Sequence, residues 1–108
     1  MSTIYAMGVL NVDFSARRYV KDQRLWQLYK KFEDAEQCVL SNNGDIFEQY
    51  YNYALIEEVK IIPLSKKELQ KLSVPKQWWY KADYHTDVVI SKIEVPEQFK
   101  HMCYWWIG

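Results

Sequence analysis

The sequence predicts an α+β fold, with residues 1–108 forming a single α+β domain around a mostly antiparallel sheet of about five to six strands. Most apolar segments alternate with a period of two, which is the repeat of a strand. One segment has the spacing of a main helix, and one or two others favour short helices. The composition, 49% hydrophobic and 26% charged over 108 residues, is typical of a globular chain with one modest core.

The first third of the chain predicts two strands. Residues 4–14, IYAMGVLNVDF, are apolar on both faces until Asn11, as expected of a central strand. The polar segment 15–24, SARRYVKDQR, is interpreted as a connection, although it is long for a tight hairpin turn. The run 25–32, LWQLYKKF, fits both helical spacing and strand alternation, and we favour a strand.

The main helix is predicted immediately after this run. Glu33 and Asp34 suit the positive end of the helix dipole, and SNNG (41–44) ends the helix. The apolar face of this helix consists of Ala35, Cys38 and Val39.

The remaining elements are mainly strands. Residues 50–62 alternate, with Glu57 interrupting one apolar face, and predict a strand that ends at Pro63. SKKELQKL (65–72) predicts a short helix, since Ser65 and Glu68 form a capping box. Three further strands are predicted at WWYKADY (78–84), DVVISKIEV (87–95) and CYWWIG (103–108). One helical turn is predicted at PEQFKHM (96–102).

The net charge is zero, but the charges are segregated along the chain. Residues 1–32 carry six basic and two acidic groups, a net of +4, whereas residues 33–59 carry seven acids and no Lys or Arg, a net of −7. Residues 60–82 carry six Lys and one Glu, a net of +5. These blocks either neutralise one another within the fold or a subunit contact, or form an acidic or basic patch for a partner.

The segment 34–59, DAEQCVLSNNGDIFEQYYNYALIEEV, resembles a family of small uncharacterised proteins from Firmicutes and their phages. The pattern is an Ala-Glu helix, an Asn, an acidic-Ile-x-Glu segment and Tyr-x-Tyr-Ala-hydrophobic-Ile-Glu. Here it falls on Ala35, Glu36, Asn42, Asp45, Ile46, Glu48 and 51–57, and VLNVD (9–13), WWYK (78–81), the region of Pro96 and the terminal Ile-Gly are similar too. The resemblance implies a phage setting, where small proteins often counter host defence, and no particular activity.

The three arginines indicate an anion site. Arg17, Arg18 and Arg24 lie within eight residues and are the only arginines of the chain. A guanidinium matches the geometry of phosphate and stacks on rings, so we expect them to hold a phosphate group. The alternative is that they are solvated charges on a hairpin arm.

The paired tryptophans belong either to a core or subunit contact, or to a surface on which a ligand ring stacks. Trp78, Trp79 and Tyr80 lie on one predicted strand, with Trp79 on the opposite face from the other two. Because both faces belong to a core only if both are covered, one face is a candidate for stacking on a ligand ring. Trp105 and Trp106 are core, interface or site residues. Asn52, on an apolar strand face, either bonds to backbone or reads a base edge.

Catalytic groups and metal ligands are poorly represented. His85 and His101 have no partners at a metal-ligand spacing beyond Cys103, and three glycines leave little room for a phosphate loop. We therefore expect no enzyme activity, no metal and no cofactor. Cys38 and Cys103 can form a disulfide, but nothing implies one.

Two functions remain. The first is a non-catalytic phage-type anti-defence protein that sequesters a small nucleotide-derived signalling ligand, held by Arg17, Arg18, Arg24, Asn52, Trp78, Trp79 and Tyr80. The alternative is a protein inhibitor of a host defence complex, in the manner of anti-CRISPR proteins. It would act through the acidic segment 33–59, with Asp34, Glu36, Asp45 and Glu48 facing a basic partner.

The expected setting is the host cytoplasm. The N-terminus has no basic segment before an apolar run, and no apolar stretch approaches the roughly 20 residues of a membrane span. We expect no membrane partner. A homo-oligomer is expected, because one protomer of this size has little concave volume for a ligand.

Overall fold

The computed structural model describes residues 2–61, 76–84, 87–100 and 104. In these ranges the chain forms β1 (Ser2–Val12), β2 (Val20–Tyr29), α1 (Phe32–Leu40), β3 (Tyr53–Ile61), β4 (Gln77–Tyr84), β5 (Val88–Ile93) and a 3-10 turn (Glu97–Phe99). The predicted α+β fold with a mostly antiparallel sheet is confirmed as a five-stranded sheet with one α-helix and one 3-10 turn in the described residues. Its helical part is small. The predicted helix 65–72 lies outside the described residues, as does the strand 103–108 except for Tyr104.

The five strands form one sheet in the order β2-β1-β3-β4-β5, and every neighbouring pair is antiparallel. The chain leaves β2 at one edge, crosses one face of the sheet as α1, and re-enters on the far side of β1 as β3. This crossover places α1 against β1, β2, β3 and β5. No helix in the described ranges is long and apolar enough to cross a membrane.

Side chains alternate between the two faces of the sheet, so each face has its own core. The helix-covered face packs against α1 and buries Met7, Val9, Ala35, Cys38, Val39, Ile46, Phe47, Tyr51, Ala54, Ile56, Tyr80 and Ala82. The opposite face buries Ala6, Leu10, Val12, Tyr53, Leu55, Trp79 and Phe99. A sheet that is buried on both faces explains why β1 and β3 are apolar at nearly every position.

Strand β2 begins earlier than the sequence predicts. It starts at Val20, so the connection is only 13–19 and the second half of the segment 15–24 pairs with β1. The polar residues of this half are exposed because β2 is an edge strand of the described sheet. Exposure at an edge permits a strand whose composition resembles that of a loop.

A loop with unusual backbone geometry, residues 41–50, joins α1 to β3. Its left-handed residues are Asn42, Gly44, Asp45, Glu48 and Gln49, with φ between 50° and 72°. Ile46 and Phe47 anchor the loop, since both side chains are 0% exposed. The Tyr84 hydroxyl also donates to the carbonyl of Tyr51. The loop is therefore held in one place beside the C-terminal end of α1.

Candidate functional site

The structure places the three arginines on two different elements, and none of them is among the lining residues of the groove described below. Arg17 and Arg18 are exposed in the 13–19 connection, whereas Arg24 lies on β2. The Nη1 of Arg24 is 2.8 Å from Oε1 of Glu48, and its guanidinium carbon lies 5.2 Å from the centroid of the Trp26 ring. One predicted arginine therefore meets an indole as expected, but the indole is Trp26, which the sequence did not single out.

Trp79 and Tyr80 are core residues, which corrects their prediction as stacking residues. Both side chains are 0% exposed. Trp79 stacks on Phe99 with centroids 4.7 Å apart and donates from Nε1 to Gln77. Tyr80 lies on the helix-covered face and donates its hydroxyl to Glu36. A bound ring needs an open aromatic face, and neither residue offers one.

Trp78 is the half-buried member of the adjacent pair. Its ring centroid lies 4.4 Å from that of Phe32 and 6.2 Å from that of Tyr5, so it packs beside the first turn of α1. The pair thus consists of one core indole and one with some exposure, as the alternation predicts. Trp105 and Trp106 lie outside the described residues.

Asn52 bonds to backbone, and its prediction as a base-reading residue is corrected. Its Oδ1 accepts a hydrogen bond from the N–H of Val12 at 2.8 Å, and its Nδ2 donates to the carbonyl of the same residue at 2.7 Å. The side-chain amide thereby extends the contact of β1 with the start of β3 from Leu10 to Val12, the last residue of β1. Both ends of the amide are already used, so Asn52 has a structural role.

The acidic residues of the alternative function are partly neutralised by the fold. Glu36 accepts from Tyr80 and from Lys92 Nζ at 3.1 Å, and Glu48 pairs with Arg24. The hydrogen bond from Tyr80 is the main reason why the pKa of Glu36 lies below its ordinary value, with Lys92 acting in the same direction against the effect of burial. Asp34 and Asp45 are both exposed.

A groove of about 480 Å³ opens between β2, α1 and the start of the 41–50 loop, and we call it the β2–α1 groove. The strand contributes Trp26, Gln27 and Tyr29, the helix contributes Asp34, Gln37 and Cys38, and the loop contributes Ser41, Asn43 and Gly44. Within the part of the chain that the structure describes, this groove combines an indole, a phenol, amides and a carboxylate.

A β-bulge turns Trp26 toward the groove. Met7 pairs with Gln27 and Gly8 pairs with Leu25, so Trp26 is an extra residue in β2. It packs with the helix-covered core while remaining half-buried. The signal in the sequence that could have predicted this site is the spacing of Arg24 and Trp26, because residues two apart share a face of a strand.

The groove has one charged lining residue among those described, Asp34. Burial raises the pKa of Tyr29, as do the hydrogen bond with the Cys38 thiol and the nearby Asp34 carboxylate, so the phenol stays protonated at neutral pH. No group of three or more His, Cys, Asp or Glu side chains within the described ranges could hold a metal ion. The groove is thus suited to hydrogen bonding and stacking.

No model of a protein family matches this chain, and neither the curated proteins nor the solved structures contain a significant match to it. The geometry of the site itself is therefore the basis for assigning a function.

Proposed function

We propose that the protein is a non-catalytic binding protein that captures a small nucleotide-derived ligand in the β2–α1 groove. The observation that supports this function best is the guanidinium of Arg24 over the ring of Trp26, one of the groove's walls. An indole provides a flat surface for a base, and a guanidinium provides paired donors for a phosphate.

The size and the energetics of the site fit such a ligand. Small-molecule pockets typically have volumes of about 300–1,000 Å³, and the groove has about 480 Å³. Arg24 and Glu48 are about half exposed, and an exposed ion pair of this kind contributes only about 0–1 kcal/mol. A ligand phosphate can therefore replace Glu48 as the partner of Arg24 at little cost.

The biological role that we propose is sequestration of a signalling nucleotide by a phage protein in the host cytoplasm. Sequestration requires affinity and no chemistry, which agrees with a site of neutral amides, a phenol and a single carboxylate. The groove lies beside β2, at an edge of the described sheet, where a second copy of the chain could complete it. Inhibition of a host complex through the segment 33–59 is less favoured, since Glu36 and Glu48 already have partners.

Calorimetry with a panel of cyclic dinucleotides and ADP-ribose-type compounds tests the proposal. We expect binding by the wild-type protein and a loss of affinity of roughly fivefold or more in Trp26→Ala, because stacking on an aromatic contributes about 1–3 kcal/mol per base. Arg24→Lys keeps the charge but loses the planar fork, so it should also weaken binding.

Leu25→Ala is the matched control. Leu25 is 44% exposed on the same strand and pairs with Gly8, which places it on the opposite face of the sheet from Arg24. This variant should bind as the wild type does. Absence of heat with every compound in the panel, or equal losses in Trp26→Ala and Leu25→Ala, would contradict a ligand site in the groove.

A further inference from the structure

We infer that the β2–α1 groove selects guanine among the nucleobases, through two hydrogen bonds from the base to the carboxylate of Asp34. This inference rests on the proposed function, since it assumes that the groove holds the base of a nucleotide. It adds the identity of that base and the residue that reads it.

The charge of the groove sets the first requirement. Asp34 is exposed, lines the groove and is the one charged side chain among its described lining residues. An ionised carboxylate only accepts hydrogen bonds, so the part of the ligand that faces it must donate. A ring edge with lone pairs at this position would be repelled.

Guanine meets this requirement better than the other bases. Its N1–H and N2 amino group are adjacent donors on one edge, matching the two oxygens of a carboxylate in a bidentate pair. Adenine and cytosine each place a ring nitrogen lone pair beside their amino group, and uracil places a carbonyl on either side of its single N–H. Each of these three would bring at least one acceptor close to Asp34.

The neutral groups of the groove complement the other edge of guanine. Asp34 and Gln37 are three residues apart on α1, so their side chains are neighbours on one face of the helix. The amides of Gln37 and Asn43 have N–H groups that can donate to the O6 and N7 acceptors. Trp26 lines the same groove, and an indole can stack on the ring.

An arginine side chain from a partner protein also presents two parallel N–H donors and a flat face. The neighbouring guanidinium of Arg24, 5.2 Å from the Trp26 centroid, disfavours that occupant, because two cations would share one indole. The same guanidinium favours a ligand that carries phosphate. These charges together favour a guanine nucleotide over a basic peptide.

Calorimetry with nucleoside monophosphates tests the inference. We expect the wild-type protein to bind GMP at least tenfold more tightly than IMP, which lacks the amino group, and than 1-methyl-GMP or AMP. Asp34→Asn should bind GMP at least tenfold more weakly while its affinity for AMP changes less than threefold. Glu33→Gln, which removes a neighbouring exposed acid that does not line the groove, should retain the preference for GMP.

The possible failures are distinguishable. If AMP binds as tightly as GMP, and Trp26→Ala abolishes both while Asp34→Asn changes neither, the proposed function stands and the inference about guanine is wrong. If neither the monophosphates GMP, IMP and AMP nor the signalling nucleotides bind, the proposed function and the inference about guanine are both wrong. Binding of methylguanidine that depends on Asp34, without binding of GMP, would instead identify a partner's arginine as the occupant.

Discussion

The hydrogen bond from the phenol of Tyr80 to the carboxylate of Glu36 gives a structural role to a side chain that the sequence predicts to bind a ligand. Tyr80 is 0% exposed, and its hydroxyl lies 2.5 Å from Oε2 of Glu36. Burial, together with this carboxylate, raises the pKa of Tyr80, so the hydroxyl remains a donor. The hydrogen bond joins β4 to α1 across the helix-covered core.

Tyr80→Phe should lower the free energy of unfolding at pH 7 by about 1.5–3 kcal/mol, the usual contribution of a hydrogen bond to a charged group. The pKa of Glu36 is lowered in the folded state, so its stabilising effect is complete above the ordinary value of 4.5 and is lost as the pH falls through the folded value. Urea unfolding at pH 7 and pH 3 should therefore show a smaller difference between variant and wild type at pH 3.

Tyr84→Phe provides the control for this pH dependence. Tyr84 lies on the same strand, but its hydroxyl donates to the backbone carbonyl of Tyr51, which does not titrate. The cost of this substitution should be similar at the two pH values. A cost of Tyr80→Phe that is equally independent of pH would show that the hydrogen bond to Glu36 does not carry the effect.

The residue-level site could be predicted only in part. Alternation along β4 correctly predicts that Trp78 and Trp79 point to opposite faces, but it does not say which face is more fully covered. The pairing of Asn52 with Val12 joins residues 40 positions apart, so no local pattern reveals it. Arg24 could be predicted as a site residue from its residue type. Trp26 was not predicted, because the run 25–32 was interpreted only for its secondary structure.

The pairing of β2 with β1 explains why the run 25–32 fits both helical spacing and strand alternation. Leu25 and Leu28 pair with Gly8 and Ala6, two positions that share one face of β1. The extra residue Trp26 lets two leucines three residues apart point the same way, which imitates helical spacing. A bulge depends on the partner strand, so the sequence of β2 alone predicts the strand weakly and the bulge not at all.

The 41–50 loop stores backbone strain beside the groove. Outside glycine, a left-handed residue costs roughly 1–2 kcal/mol, and four of the left-handed residues here are not glycine. Such strain persists only where the surroundings hold it, as the buried Ile46 and Phe47 do in this loop. The loop contributes Asn43 and Gly44 to the lining of the groove.

Gln49→Gly should therefore stabilise the protein by about 0.5–1 kcal/mol. Glycine adopts the φ of 51° found at Gln49 without a steric cost, and this gain exceeds the additional chain entropy that glycine loses on folding. Asn43→Gly, in the same exposed loop, should destabilise by a similar amount, because its φ is not in the left-handed region. Thermal unfolding of both variants measures the two signs. Destabilisation by Gln49→Gly would mean that the strain at this position is negligible.

The segregated charges of the sequence meet one another in the whole molecule. In the acidic block 33–59, Glu48 forms a salt bridge with Arg24 of the N-terminal third of the chain, and Glu36 forms one with Lys92 of the C-terminal third. Neutralisation within the fold is one of the two hypotheses for these charge blocks, and the ion pairs of Glu48 and Glu36 agree with it. Asp34 and Asp45 are left on the surface, and only Asp34 lines the β2–α1 groove.

Glu57 connects three distant parts of the chain. Its side chain is 1% exposed, and its Oε2 accepts hydrogen bonds from Nε2 of Gln77 and from the backbone N–H of Tyr104, both at 2.7 Å. The carboxylate thus joins β3 to β4 and to a residue 47 positions later. A residue that interrupts an apolar strand face in the sequence is, in the structure, the acceptor that this face requires.

Glu57→Ala should lower the free energy of unfolding by about 2–4 kcal/mol, because it removes this buried acceptor from two partly buried donors. Glu58→Ala is the control. Glu58 is the next residue of β3, half-buried on the opposite face, and its replacement should cost less than about 1 kcal/mol. Urea unfolding at pH 7 measures both, and hydrogen exchange at the Tyr104 amide should accelerate only in Glu57→Ala. Equal costs for the two variants, with unchanged exchange at Tyr104, would show that Glu57 does not hold these segments together.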